Sequence, residues 1–327
     1  MSAALIGLGA NLGDRRATLQ RAVDRLRAVS DIVVASVSGW RETAAVGGPA
    51  GQPPFLNGAA RLETSLSPRE LLAALQAIER EAGRRRGVRW AARPLDLDLL
   101  LFDDVVLTSA ELTLPHPRLA FRRFVLAPAA EIAAEFPHPT LGRTLGELLR
   151  HLNEAAHYVA VTGVDPAARW AFAARLATRC GGRFLSDEAP LGASDAANST
   201  GPGLAAAIES LDRRRRLLAS VAVAGEWTVS GFWFDEGLAA ARAELRPVEL
   251  SHYLAAWEAA REKVIAPKLI VALGPLPEEA GGLPERQFGR ELAERLRQPG
   301  QPPVLSLPTD DMECSEEEAL AAVLAMR

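Results

Sequence analysis

The sequence predicts two successive folds, an α+β sandwich over residues 1–155 and an α/β fold with a parallel sheet over residues 156–327. Three observations support this prediction. The 327 residues are enough for two domains, each with its own hydrophobic core. The first half places short apolar strands and amphipathic helices in the order β-α-β-β-α-β, which is typical of a ferredoxin-like sandwich. The second half opens with a strand, a turn and a helix, which is typical of a parallel α/β layer.

The first half begins with an apolar run at Ala3–Gly9 that predicts a buried strand. Asp14 is placed to cap the helix that follows, because apolar residues recur after it at helical spacing. Ile32–Val37 is rich in β-branched residues and predicts the second strand. Glycine and proline dominate Gly47–Pro54, so a loop is expected there before a third strand at Phe55–Thr64.

The tetrapeptide from Ser67 to Glu70 predicts the start of a helix, with serine as the N-cap, proline at the first helical position and glutamate at the third. This second helix is expected to run to about Gly83. Asp96–Phe102 predicts the last strand of the sheet. We expect Val105–Leu107 to pair back on it across a turn of two aspartates.

The second half changes pattern near residue 156, after a short helix expected at Thr144–Leu152. Tyr158–Thr162 predicts a strand, and the helix that follows it is expected to end at Cys180. Ser251–Val264 predicts another helix and Leu269–Leu273 another strand. This alternation of strands and helices indicates a parallel sheet.

Composition excludes several classes of protein. With 48% hydrophobic and 24% charged residues the chain is globular, neither a disordered tail nor a coiled coil. A formal net charge of -4 argues against nucleic acid or an anionic membrane as a partner. No apolar run approaches the ~20 residues of a membrane span, and no signal peptide is evident. The two cysteines cannot make a disulfide framework. A cytoplasmic protein that binds neither nucleic acid nor membrane is therefore expected.

The densest chemistry lies in residues 83–98, where five arginines precede two aspartates. Asp96 and Asp98 stand two apart on a predicted strand, so their carboxylates project from one face. Two such carboxylates repel, and either one pKa rises or a cation lies between them. Mg²⁺ prefers a few carboxylates together with substrate phosphates, and arginines clamp phosphate oxygens. The residues predict a site for a metal-bound polyphosphate. The alternative, a solvated face of an amphipathic strand, stays open at this point.

Five segments in order resemble a known family: LIGLGANLGD, WRET, PPFLNGA, RWAARPLDLDLLLF and LPHPRLAFRRFVLAPAAEI. The family is 6-hydroxymethyl-7,8-dihydropterin pyrophosphokinase, and the resemblance covers residues 1–155. It implies a ferredoxin-like fold and transfer of pyrophosphate from ATP to the pterin hydroxymethyl group in tetrahydrofolate biosynthesis, with release of AMP. Pro117 departs from the family, which commonly has an aromatic residue there, and the arginine loop is one residue shorter.

The resemblance also implies a role for each matching residue. Asp96 and Asp98 would hold two Mg²⁺ ions that bridge the ATP phosphates, and they form the catalytic set with Arg84 and Arg93. Small molecules, ATP and the pterin, are the implied partners. The implied ATP-binding residues are Glu79, Arg86, Arg89, Trp90, His116 and Arg122. The implied pterin-binding residues are Thr43, Phe55, Asn57 and Phe124.

In the second half, YVAVTGVDPAARWAFAARLATRC has the layout of a phosphate-binding loop, which reads G-x-x-x-x-G-K-[ST]. Gly163 keeps the first place, but Ala168, Arg169 and Trp170 stand where the second glycine, the lysine and the hydroxyl residue belong. The only lysines of the chain are distant in sequence, at positions 263 and 268.

The segment EWTVSGFWFDEGLAAARAEL adds a resemblance to the deoxynucleoside kinase family, which has a P-loop fold. Residues 156–327 are therefore expected to form a degenerate kinase-like domain without phosphoryl transfer, with a possible role in homodimerisation. The alternative is a bifunctional enzyme whose second half is an active deoxynucleoside kinase that uses Arg169. Arg213–Arg216 is expected on a solvated helix face.

Overall fold

A computed structural model describes residues 1–84, 90–187, 203–221, 226–274 and 283–327 of the chain, with side chains from residue 286 in the last range. The chain divides into two compact units. The first unit is Met1–Asn153 together with Ala321–Arg327, and the second unit is Glu154–Leu320. The kinase-like identity of the second domain stays a prediction at this point.

The first half of the chain forms an antiparallel sheet with the strand order β2-β4-β1-β5, and β3 pairs with the first residues of β4. Its strands are β1 (Ser2–Ala10), β2 (Ile32–Val37), β3 (Arg41–Thr43), β4 (Phe55–Thr64) and β5 (Asp96–Phe102). Two small ribbons are β6 (Leu107–Thr108) with β7 (Thr113–Leu114) and β8 (Pro137–His138) with β9 (Arg143–Thr144). Its helices are α1 (Arg15–Arg27), α2 (Pro68–Glu81), α3 (Arg123–Ala133) and α4 (Leu145–Glu154), with a 3₁₀ turn at Leu119–Phe121.

The two helix starts predicted from sequence are confirmed. The Asp14 carboxylate accepts the backbone N–H of Ala17 at 3.0 Å and caps α1. Ser67 and Glu70 cap α2 reciprocally, because each side chain accepts the other residue's backbone N–H. These caps set where each helix starts and which of its faces meets the sheet.

One hydrophobic core lies between the sheet and the first two helices. Leu19 and Leu26 of α1 and Leu71 and Leu75 of α2 are fully buried against it. From β5 the core takes alternate residues such as Leu97. Since successive strand residues point to opposite faces, this packing turns the polar residues of β5 away from the core.

The expected pairing of Val105–Leu107 with β5 is wrong. Leu107–Thr108 pairs instead with Thr113–Leu114. Asp103 explains the difference, because its backbone N–H donates to Ala3 and its carboxylate accepts the N–H of Ala3. These bonds tie the end of β5 to β1, and the following residues pair with each other.

The second half of the chain forms a parallel sheet with the strand order β11-β12-β10-β13-β14, which confirms the predicted α/β layout. Its strands are β10 (Tyr158–Gly163), β11 (Arg183–Leu185), β12 (Thr228–Ser230), β13 (Leu269–Leu273) and β14 (Val304–Leu307). Its helices are α5 (Pro166–Cys180), α6 (Leu204–Ala219), α7 (Glu236–Glu244), α8 (Pro247–Arg261), α9 (Leu283–Arg297) and α10 (Met312–Ala325). Among the helices that the structure describes, none has the length and apolar composition that a membrane span needs.

The expected solvated face at Arg213–Arg216 is wrong for Arg214, and the Nε atom of Arg213 is buried as well. Arg214 is buried, and its guanidinium is paired with Asp187 and Glu236. Arg215 and Arg216 do pair with Asp212 near the surface. A run of like charges hides this difference, because only the helical rotation decides which member turns inward.

Ser67→Ala tests the cap of α2. Loss of the hydroxyl leaves the N–H of Glu70 without its side-chain partner, so the free energy of unfolding should fall by about 0.5–2 kcal/mol. A urea titration followed by circular dichroism measures the change. Ser30→Ala, at an exposed turn, is the control, and an equal loss in both variants would contradict a special role for the cap.

Candidate active site

The two acids of β5 lie at one end of the antiparallel sheet, next to the glycines of β1. In the register of the strands Asp96 stands beside Gly9 and Asp98 beside Gly7. The intervening Leu97 is buried in the core. Both carboxylates therefore project from the opposite face of the sheet, as the i, i+2 spacing predicts.

Glycine at position 9 leaves room for the polar groups on this face. A Cβ atom built on Gly9 would lie 3.0 Å from Oδ1 of Asn57, 3.7 Å from the ring of Phe55 and 3.8 Å from Cβ of Asp96. Asn57 stands opposite Gly9 on β4. The missing side chain thus brings the amide, the aromatic ring and the carboxylate together around one backbone position.

Asp96 is bound by two arginines. Its Oδ1 accepts hydrogen bonds from Nη1 of Arg84 at 2.7 Å and from Nη1 of Arg93 at 2.8 Å. Burial raises the pKa of Asp96, and the charge of Asp98 raises it further, whereas the two guanidinium groups act in the opposite direction. Burial by itself lowers the pKa of Arg84, but the charges of Asp96 and Glu79 outweigh it and raise that pKa. The carboxylates and the guanidinium groups compensate one another's charge.

Thr43 orients the amide of Asn57 on the other side of the cleft. Nδ2 of Asn57 donates to Oγ1 of Thr43 at 2.8 Å, which leaves the amide oxygen facing Gly9. Phe55 and Phe124 line the same cleft. The guanidinium carbon of Arg122 lies 5.7 Å from the centre of the Phe124 ring, a cation–π contact. This side of the cleft offers flat apolar surface with one directed amide.

Two loops meet beside the acids. A Cβ atom on Gly47 would lie 2.8 Å from the indole of Trp90, and one on Gly48 would lie 2.4 Å from the Trp90 carbonyl oxygen. Both glycines have positive φ, near +75°. Nε2 of Gln52 donates to the carbonyl oxygens of Trp90 and Gly47, at 2.9 and 3.2 Å. The glycine-rich loop and the end of the arginine loop are thus joined.

Most of these groups line one cleft, whereas the predicted site residues Glu79, Arg84 and His116 are not among its lining residues. Of the residues singled out from sequence, those lining it are Thr43, Phe55, Asn57, Trp90, Arg93, Asp96, Asp98, Arg122 and Phe124. Charged groups that suit a polyphosphate and an aromatic-amide surface that suits a flat heterocycle therefore share one cleft.

A family model described as 7,8-dihydro-6-hydroxymethylpterin-pyrophosphokinase matches residues 5–134. The 2-amino-4-hydroxy-6-hydroxymethyldihydropteridine pyrophosphokinase of Synechocystis is 41% identical over 162 residues, which are 50% of this chain and 82% of that protein. The chain belongs to the dihydropterin pyrophosphokinase family. A Bacillus subtilis pyrophosphokinase of the same name is 47% identical over 132 residues, 40% of this chain and 78% of that protein.

Among solved structures, a deoxyadenosine kinase from M. mycoides aligns with 52% of this chain and all of its own, at 8% identity and a TM-score of 0.40. The sequence relatives thus place the pyrophosphokinase family in the first half of the chain. The fold of the second half rests on its own strand order.

In this pyrophosphokinase-family site, Glu79 contacts the backbone between the two acids and one of the arginines. Its Oε1 accepts the backbone N–H of Leu97 at 2.7 Å and contacts Arg84. Burial raises the pKa of Glu79, and the hydrogen bond from Leu97 opposes that rise. Glu79 therefore fixes the backbone between the two acids, while the predicted contact of Glu79 with ATP stays a prediction.

His116 carries a half-buried, neutral imidazole. Nδ1 accepts the backbone N–H of Arg118 at 3.2 Å, which places the ring proton on Nε2. Burial lowers the pKa of His116 to about 3, and the charges of Arg122 and Arg118 lower it in the same direction. The ring can donate from Nε2 to a phosphate oxygen at neutral pH. Arg86 and Arg89, also expected at the ATP site, lie outside the described residues.

Sequence reasoning missed three residues that build the site of this pyrophosphokinase-family chain. They are Gly9, Gln52 and Asn11, whose Oδ1 accepts the N–H of Arg93 at 2.8 Å and whose Nδ2 donates to the Pro53 carbonyl oxygen at 3.3 Å. Gly7 and Gly9, two residues apart in the first strand, indicate a sheet face without side chains at these positions, where other groups can approach the backbone. The amides of Asn11 and Gln52 gave no signal, because their partners are distant in sequence.

Glu79→Leu tests the support behind the acids. The change leaves the buried N–H of Leu97 without an acceptor, so the free energy of unfolding should fall by about 1–3 kcal/mol. Glu79→Gln is the matched control, because its amide oxygen can still accept from Leu97. Urea titrations and amide hydrogen exchange at Leu97 measure the difference, and equal exchange rates in the two variants would rule out this role.

The ring of His116 should stay neutral from pH 5 to pH 8, because burial and two arginines hold its pKa near 3. Ring ¹⁵N chemical shifts of the free protein, recorded as a pH titration, report both protonation and tautomer. We expect the Nε2–H tautomer throughout this range. A titration midpoint near the ordinary histidine value of about 6.5 would contradict the geometry.

Proposed function

We propose that the cleft of the first unit transfers the pyrophosphoryl group of ATP to 6-hydroxymethyl-7,8-dihydropterin, giving the pterin diphosphate and AMP in tetrahydrofolate biosynthesis. The observation that carries the proposal is the position of Asp96 and Asp98 in the same cleft as Asn57, Phe55 and Phe124. The chain belongs to a family named for this reaction. One cleft with both kinds of surface suits a reaction between a polyphosphate and a flat heterocycle.

The fold that carries this cleft is proposed to be ferredoxin-like. The antiparallel order β2-β4-β1-β5 and the helices α1 and α2, which follow the first and third long strands, support this assignment. They match the split β-α-β pattern, in which the two central strands are the first and the third. In this arrangement the first and last strands are neighbours, which explains why the glycines of β1 lie beside the acids of β5.

Asp96 and Asp98 suit magnesium. No third histidine, cysteine or carboxylate joins them into a metal cluster among the residues that the structure describes. Two protein carboxylates, with water and phosphate oxygens as the remaining ligands, are the set that Mg²⁺ prefers. We assign two Mg²⁺ ions to these two side chains. Bound there, they would neutralise negative charge on the ATP phosphates.

Arg84 and Arg93 serve two partners in this proposal. In the free chain both guanidinium groups donate to one oxygen of Asp96. With a cation held by the carboxylate, Arg84 and Arg93 would be able to bind phosphate oxygens with fixed geometry. The arginines therefore keep the two acids compensated before the nucleotide binds and hold the polyphosphate afterwards.

Asn57, Phe55 and Phe124 hold the pterin. Thr43 holds the Nδ2 side of the Asn57 amide, and Oδ1 is then fixed as an acceptor for the donor edge of the ring. The two aromatic side chains offer apolar faces for the flat heterocycle. This end of the cleft sets the direction of the hydroxymethyl group.

The chain's own contribution to the reaction is position and charge. The hydroxymethyl oxygen forms a bond to the β-phosphorus and loses its proton to solvent, the bond from that phosphorus to the α-phosphate oxygen breaks, and AMP leaves. Positively charged and N–H groups around the polyphosphate, from Arg84, Arg93 and His116, stabilise the charge that moves to AMP. Trp90, held by Gln52, covers the cleft together with the glycine-rich loop and reduces access of water.

Asp96→Ala and Asp98→Ala test the assignment. Each should lower the rate of AMP formation at least ~100-fold, because a carboxylate that would hold the charge-neutralising Mg²⁺ is lost. The measurement is AMP release from ATP, Mg²⁺ and 6-hydroxymethyl-7,8-dihydropterin, together with the affinity for ATP in the presence of Mg²⁺.

Asp104→Ala is the matched control, because this exposed aspartate follows the same strand outside the cleft. It should keep the wild-type rate. If all three variants release AMP equally fast, the metal assignment is wrong. If the wild-type chain itself releases no AMP, the activity is absent.

A further inference from the structure

In the second unit the carboxyl end of β10 leads through a short turn to α5. In parallel α/β sheets this is where phosphates bind, because the N–H groups at the start of the helix point at the ligand. Here the turn contains only Val164 and Asp165 between the end of the strand at Gly163 and the start of the helix at Pro166. Of the four residues between positions 163 and 168, which correspond to the two glycines of a phosphate-binding loop, Pro166 and Ala167 already belong to the helix.

The start of α5 already carries a negative group of its own. Oδ1 of Asp165 accepts the backbone N–H groups of Ala167 and Ala168, at 2.9 and 3.1 Å. These are donors that a helix start offers to an anion, and they are taken by the protein's carboxylate. A phosphate would have to displace this cap and would meet its charge.

Arg169 stands where the phosphate-binding lysine belongs in sequence, and it is turned inward. Its side chain is 5% exposed. Nε donates to the Gly231 carbonyl oxygen at 2.6 Å, and Nη1 donates to the Gly163 carbonyl oxygen at 3.0 Å and to Glu236 at 2.8 Å. The guanidinium group therefore binds the ends of two parallel strands to each other and to α7.

The charge around Arg169 sums to zero. Glu236 also accepts from Arg214 at 3.1 Å, and Arg214 donates to Asp187 at 2.6 Å. The charges of Glu236 and Asp187 outweigh burial, which by itself lowers the pKa of Arg214, and hold that pKa above its ordinary value. Two buried cations face two buried anions, so this cluster has no excess positive charge to attract a nucleoside phosphate.

Packing within the second unit explains the residues at two further positions of the loop, Gly163 and Trp170. A Cβ atom on Gly163 would lie 2.9 Å from the carbonyl oxygen of Leu273, so this glycine is needed for the contact of β10 with β13. A Cβ atom on Gly231 would lie 2.4 Å from the indole of Trp170. Nε1 of Trp170 donates to Asp187 at 3.1 Å. Each residue at the loop positions thus has a partner within the protein.

We propose that Arg169 and Asp165 fill the phosphate position of the second unit from within, so that this unit binds no nucleoside phosphate and Arg169 stabilises its sheet instead. The unit keeps the arrangement of a parallel kinase-like sheet while its own charges replace those of a ligand. This proposal opposes the bifunctional alternative, in which Arg169 acts on a nucleotide.

Photolabelling of the full wild-type chain tests the first part. The chain is irradiated with 8-azido-ATP and Mg²⁺, digested, and its labelled peptides are identified by mass spectrometry. We expect label only on peptides from residues 1–153, in competition with unlabelled ATP. Competable label on peptides from residues 158–187 or 226–244 overturns the proposal, whatever the first unit does.

A kinase assay adds a second readout. The Asp96→Ala chain is incubated with radiolabelled ATP, Mg²⁺ and each of the four deoxynucleosides. No deoxynucleoside monophosphate should form above the level without protein. Formation of any of the four monophosphates overturns the proposal.

Arg169→Met tests the stabilising role. Removal of one partner leaves Glu236 buried with less compensation, so the melting temperature of the second unit should fall by roughly 10 °C in calorimetry. Arg175→Met is the matched control on the same helix. Its side chain is 49% exposed and paired with Glu316, so a shift below about 3 °C is expected.

Equal shifts for the two variants overturn the stabilising role. If Arg169→Met does not give folded protein, Arg169→Lys is used instead. This variant keeps the positive charge but lacks the planar guanidinium group that donates to three partners at once. Its melting temperature should still fall further than that of Arg175→Met, and a wild-type value overturns the proposal.

Discussion

One carboxylate oxygen of Asp96 accepts hydrogen bonds from two guanidinium groups, and the architecture of the first cleft depends on this arrangement. Without Arg84 and Arg93, two carboxylates side by side in a half-buried face would repel each other and favour a protonated form. With them, the cleft holds its negative groups in place before any nucleotide arrives. Burial of Leu97 in the core fixes the direction of the neighbouring side chains, because Asp96 and Asp98 must then point to the opposite face of the sheet. Glu79, behind the strand, holds the backbone between the two acids.

Much of this could be predicted from local pattern. The spacing of Asp96 and Asp98 places both on one face of any strand, whatever surrounds it. The caps at Asp14 and Ser67 need only residues within one helical turn, and both helices start where these residues predict. The motifs of the first half also pointed to Arg93, Arg122, Phe55 and Phe124, which the structure places around one cleft.

What the sequence could not predict depends on partners that are distant along the chain. Gln52 binds Trp90 across 38 positions, and nothing near either residue marks the other. The inward turn of Glu79 depends on the backbone N–H of a strand 18 positions away. Arg214 belongs to a run of four arginines. The packing of α6, which the sequence does not reveal, determines that this arginine is buried. The predicted turn at Asp103 and Asp104 is present. The hydrogen bonds between Asp103 and Ala3, which sequence could not predict, hold the end of β5 against β1 and direct the residues that follow.

The two units use arginine in opposite ways. In the first, guanidinium groups lie at a cleft where a change of partner is possible. In the second, Arg169 and Arg214 are interior and share Glu236. Loss of that one carboxylate would lower the charge compensation of both arginines, and loss of either arginine would leave Glu236 with only one cationic partner. Single substitutions in this cluster are therefore expected to destabilise the second unit. Asp187, Arg169, Arg214 and Glu236 therefore constrain one another, because substitution of any one of them leaves at least one of the others with less charge compensation.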